Sequence, residues 1–65
     1  MNNSSLNLAQ IARRNAINAE IEITLDALAD CEIDLECLAM LLDEQEEGSI
    51  KHAAYTCVFS IMASN

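Results

Sequence analysis

All eleven carboxylates of this 65-residue chain fall between Glu20 and Glu47, and no Lys or Arg interrupts them. The three bases, Arg13, Arg14 and Lys51, stand outside that block. Crowded carboxylates can do three kinds of chemistry: proton transfer, cation ligation, or electrostatic capture of a basic surface. Proton transfer in catalysis also needs a pocket and a second, differently tuned group. A few short helices do not easily enclose a pocket. The only histidine, His52, falls in the first turn of the last helix and reads as a solvated or capping residue. A single glycine excludes a glycine-rich phosphate loop. The sequence therefore assigns no catalytic residue and no cofactor, and predicts a protein that is not an enzyme.

Cation ligation is no better supported. Asp30, Glu32, Asp34 and Glu36 alternate without the spacing or the glycine of a calcium loop. Cys31 and Cys37 are six apart, not the close pair of a zinc knuckle. On one continuous helix six positions turn about 600°, so the two thiols would point in different directions. Three cysteines are an odd number and no secretory layout precedes them, so they are expected to be buried small hydrophobes and not a disulfide framework. No metal ligand is assigned.

Capture of a basic surface remains. A block of this sign repels nucleic acid and anionic membrane surfaces and attracts cationic protein surfaces. The segment LNLAQIARRNAI at Leu6–Ile17 resembles the first helix of a helix-turn-helix, but neither a turn nor a basic second helix follows. Direct nucleic-acid binding is not expected. On a helix, carboxylates three to four residues apart stand about 5–6 Å from each other, which is close to phosphate spacing along a strand. Glu22, Asp26, Asp30 and Asp34 are spaced to make such a row, and Asp43, Glu44, Glu46 and Glu47 to make a second cluster at a hairpin tip. These eight are the candidate partner-binding residues.

The elements that must carry them follow from composition and periodicity. Hydrophobic residues make up 52% of the chain, yet Tyr55 and Phe59 are its only aromatics, there is no proline, and the only glycine is Gly48. Such a chain reads as one all-α domain over residues 1–65 with an aliphatic core. Residues 1–5 are polar and expected to be disordered, with Ser4 or Ser5 capping a short helix from Leu6. Weak helix formers at Asn15 and Asn18 suggest a bend or break around residues 14–18. Residues 17–25 alternate apolar and polar and fit either a strand or a helix. Without a second strand to pair with, a helix is expected.

Ile21, Leu28, Leu35 and Leu42 then recur every seven residues, with Thr24, Cys31 and Leu38 in the complementary position and Leu25 beside them. This predicts a long central helix over about residues 19–47. Gly48 should end it in a left-handed conformation, and Ser49 should cap a final helix from Ile50. Val58 and Ile61 continue the apolar stripe there. The predicted core or dimer contacts are Ile21, Leu25, Leu28, Leu35, Leu38, Leu42, Val58 and Ile61. A chain this short buries only about 60% of its unfolded surface, so a homodimer formed from helical hairpins into a bundle is expected.

The N-terminus lacks a signal-peptide layout, and the apolar runs are too short to span a bilayer. A cytoplasmic protein without membrane attachment is the expectation. In function, the sequence points to a small acidic, non-catalytic regulator or inhibitor that occludes a basic, nucleic-acid-binding surface of another protein, in the manner of proteins encoded by phages or mobile elements. The alternative is a helical adaptor or self-assembling module using exposed apolar faces such as Ile33, Met40 and Phe59.

Overall fold

Three helices account for nearly all of the backbone in the computed structural model, which describes residues 4–64 and the side-chain environments from Asn7 to Ser64. They are α1 (Ser4–Ala29), α2 (Leu35–Glu44) and α3 (Ile50–Ser64). The all-α expectation holds, but the lengths are redistributed. The first helix is the long one and the middle helix is the short one. Residues 17–25 lie wholly inside α1, so the strand alternative is set aside. The expected break at residues 14–18 does not occur. Ser4 and Ser5 fall inside the helix and do not precede it, and residues 1–3 lie outside the described residues.

The chain breaks instead where a continuous central helix was expected. Backbone N–H groups of Glu32 and Cys31 donate to the carbonyls of Ala27 (2.9 Å) and Leu28 (3.1 Å). That pair of bonds is a Schellman closure, and the residue at its left-handed position is Cys31, at φ 62°. Glycine normally occupies that place, because a Cβ there costs about 1–2 kcal/mol. Three residues later Asp34 starts α2. Its extended backbone and its side chain, which accepts from the Cys37 N–H at 2.8 Å, make it the N-cap.

The second connection follows the sequence more closely. α2 stops at Glu44, and Gln45 N–H bonds back to Leu42. A turn closed by Ser49 N–H donating to the Glu46 carbonyl (3.0 Å) holds Gly48 at φ 88°. Gly48 is thus left-handed as expected, but in the turn before α3 and not at the end of α2. Ser49 caps α3 as expected, its Oγ accepting from His52 N–H at 3.1 Å. Asp43 and Glu44 close α2, where they oppose its dipole, while Glu46 and Glu47 stand ahead of the α3 N-terminus, where a carboxylate is favoured.

Helix α3 is the shared support, since both α1 and α2 pack on it. Arg13 reaches the Gly48 carbonyl just before α3 begins, donating from Nη2 at 2.8 Å. At the other end Met62 shares a cleft with Leu28 and Cys31. α3 therefore runs parallel to the second half of α1, and α2 returns antiparallel between them in sequence. The first turns of α1 extend past α3. The molecule measures 46 × 21 × 20 Å with a radius of gyration of 13.6 Å, against roughly 11 Å for a compact domain of this length.

The core is small. Leu38, Ala54 and Val58 are fully buried, and Thr24 is the buried polar residue, its hydroxyl donating to the Glu20 carbonyl at 2.7 Å. Of the expected core, Leu38 and Val58 are buried, and Ile21, Leu28 and Leu42 are half-buried. Leu25 and Leu35 are exposed, because the break at Asp30–Asp34 removes the single helix whose stripe they were to complete, and Ile61, expected in the stripe of the final helix, is exposed on α3. The cysteines correct another expectation: Cys31, Cys37 and Cys57 are all exposed. No helix is long and apolar enough to cross a membrane among the described residues.

Candidate protein-binding faces

The helical break reorganises the acidic block. Glu22 and Asp26 remain neighbours one turn apart on α1, while Asp30 sits in the turn beyond its end and Asp34 begins the next helix. The expected row of four on one helix is therefore parted in two. Asp34 is also committed locally. Its bond from the Cys37 backbone N–H, together with the Cys37 side chain, holds its carboxyl below the usual carboxylate range. The hairpin-tip set survives better, with Asp43, Glu44, Glu46 and Glu47 all exposed around the α2–α3 connection.

Most of the acids belong to α2 and its flanking turns. From Asp30 to Glu47 eight of the eleven carboxylates occur without a base, and all eight are exposed. Arg13 and Arg14 lie on α1, and Arg13 is engaged with the carbonyl of Gly48. The charge is therefore lopsided, with an acidic side built on α2 and most of the basic charge on the first half of α1.

An apolar groove runs through the acidic side. Ile33, Cys37, Met40, Leu41 and Glu44 line an open depression of about 270 Å³. Cys37, Met40, Leu41 and Glu44 share one side of α2, beside buried Leu38, and Ile33 adjoins them from the turn before the helix. Met40 is 66% exposed. At 100° per residue Glu36 and Asp43 flank Met40 on one side, and Glu44 closes the end of the stripe. A second open cleft of about 460 Å³ lies under the α1–α2 turn, lined by Leu28, Cys31, Glu32, Ile33, Asp34, Cys37 and Met62. Cys31 and Cys37 line the same cleft. Sequence spacing placed them apart because it assumed one uninterrupted helix.

His52 lies in the first turn of α3, its backbone N–H held by Ser49. No group of three or more His, Cys, Asp or Glu side chains suited to a metal ion occurs among the described residues.

Sequence reasoning missed two contributors. Asp34 was read only as a surface acid, although an Asp two residues ahead of Glu36 and before an apolar run is a legible N-cap signal. The Arg13 tie to Gly48 joins positions 35 residues apart and has no local signature. The chain matches no protein-family model, no curated protein and no solved structure.

Proposed function

We propose that this protein is a small, non-catalytic protein-binding regulator or inhibitor that covers a basic surface of its partner with its α2 side. One observation carries the reading. An open apolar groove, formed by half-buried Ile33 and Leu41 with Cys37 and with Met40 exposed at its edge, lies inside the densest run of exposed carboxylates in the molecule. Apolar contact supplies affinity, and the surrounding charge selects a cationic partner and speeds encounter. A surface that normally holds nucleic acid is the natural target, because its lysines and arginines are already arranged to meet closely spaced anions. The acidic positions assigned to the contact are Asp43, Glu44, Glu46 and Glu47 at the hairpin tip, with Glu36 beside them.

The test is retention of partner from the source cell's lysate, after nuclease treatment, at low and high salt. Wild type should retain a nucleic-acid-binding protein at low salt and release it as ionic strength rises, since exposed charge pairs are screened. The combined variant Asp43→Asn, Glu44→Gln, Glu46→Gln and Glu47→Gln should lose it while remaining folded. A partner that resists salt, ignores this variant and is lost only with Met40→Asp would replace this reading. It would support the second one, an adaptor acting through apolar faces, which the exposure of Met40 favours.

A further inference from the structure

We infer that a second copy of this chain packs antiparallel along the outer face of α1, with the two-fold axis crossing between Asn15 and Ala16. This contact uses α1 and not the α2 groove, and does not depend on it.

The face is defined by burial. Among the described residues of α1 Thr24 is the buried one, and it marks the side packed on α3. Leu8, Ala12, Asn15, Ala19 and Ile23 follow each other at steps of four, three, four and four. At 100° per residue they fall within an arc of about 80°, centred roughly 140° from Thr24. All five are exposed, Leu8 at 66% and Ile23 at 61%. Two large aliphatic side chains on an exposed helix face, with alanines between them, form a surface that water covers at a cost.

The occupant follows from the order of these residues. Read in reverse, four of the five stripe residues match one another: Leu8 meets Ile23 and Ala12 meets Ala19, while Asn15 meets Ala16, which is half-buried at the border of the stripe. Antiparallel pairing places each large side chain at an end and the small alanines at the middle, where two helices can approach closely. A two-fold interface requires this self-complementarity.

Charge fixes the direction. Asp26 lies within the same arc and Glu22 about 20° beyond its edge. Parallel, in-register pairing would set each against its own copy. Antiparallel pairing carries Asp26 to the first turn of the partner's α1, where the helix dipole favours an anion. The two copies of Asp26 then stand about 30 Å apart at 1.5 Å per residue.

Area agrees. The chain exposes 4779 Å², roughly 700 Å² more than a compact monomer of its mass would show. A standard protein interface takes about 800 Å² from each partner.

The experiment is sedimentation equilibrium of the full chain over a dilution series, followed by disulfide trapping. Wild type should approach twice its 7.1 kDa mass as concentration rises. Dimerisation should strengthen with added salt, because each copy carries a net charge of −8. Ile23→Glu, and separately Leu8→Glu, should sediment as monomers while keeping their helical circular dichroism. Direction is read in a background with Cys31, Cys37 and Cys57 changed to serine. A mixture of Ala12→Cys and Ala19→Cys chains should form a mixed disulfide, and neither chain should cross-link to itself. A mass of one chain at every concentration would overturn the proposal. So would dimers that persist in both glutamate variants, or self-linking of Ala19→Cys.

Discussion

The outer faces of α1 and α2 both expose aliphatic side chains, yet they differ in what surrounds them. On α2, Met40 is flanked by Glu36 and Asp43, with Glu44 at the end of its stripe. On α1, the face through Leu8, Ala12 and Ala19 carries no charge, since Arg13 and Arg14 fall off its arc, and the acids enter only at its far end. Equal apolar exposure therefore does not imply equal partners. An acidic frame selects a cationic surface and makes binding fall with salt, whereas a nearly neutral, self-complementary stripe selects its own copy and gains from salt. The contrast teaches that the charge bordering an apolar patch, more than the patch itself, tells which occupant it fits.

The largest expected effect removes the support the two faces share. Leu38 is fully buried where α2 meets α3, and Leu38→Ala should cost about 2–5 kcal/mol. A domain this small holds about 3–5 kcal/mol in total, so the variant should be largely unfolded at 37 °C and lose both faces together, as thermal circular dichroism would read. Retained dimerisation in that variant would mean that α1 folds and pairs without α2, and the comparison would have to treat the faces as separate units.

A smaller effect separates the two connections. Cys31 holds a left-handed φ with a side chain, and Gly48 holds one without. Cys31→Gly should stabilise the protein by about 1 kcal/mol. Gly48→Ala should destabilise it by about the same amount, from backbone strain alone, since a Cβ there would meet nothing within 4 Å. Opposite shifts in the denaturant midpoint would bear out the Schellman closure, while shifts of the same sign would contradict it.

The smallest effect concerns Asp34, and it touches the α2 face alone. Its folded pKa lies below the ordinary value of 3.8 because the ionised carboxylate accepts the Cys37 N–H. The cap's contribution is therefore complete above that value and is lost as pH falls through the folded pKa. On acidification the Cys37 amide resonance should move with this titration, and the first turn of α2 should fray while α1 keeps its helical signals. Asp34→Asn, which retains capping without the charge, should remove the pH response.

How much of this was readable in sequence depends on the kind of signal. The helical class, the cap at Ser49, the left-handed Gly48 and the burial of Leu38 and Val58 rest on local chemistry or strong periodicity, and each was legible. The break after Ala29 was not, because Cys31 occupies a position where glycine or asparagine is the usual marker. The seven-residue recurrence from Ile21 through Leu42 also continues across the break and simulates one helix. The expected bend near Asn15 and Asn18 failed for the converse reason. Ile17 and Ile21 pack toward α3, and Arg13 ties α1 to the Gly48 carbonyl, so tertiary contact overrides weak propensity. Of the candidate site, the hairpin-tip acids stay together as read, and the row from Glu22 to Asp34 does not.

The measurement that tests the central claim most directly is an amide chemical-shift titration with a synthetic amphipathic helix of lysine and leucine, with every residue assigned. A basic partner that docks on the acidic side should shift resonances from Ile33 through Glu47 and leave Leu8 to Ile23 unmoved, with the shifts collapsing as salt is added. Shifts centred on α1, or a response on α2 that is indifferent to salt, would contradict the assignment of the basic partner to the α2 face.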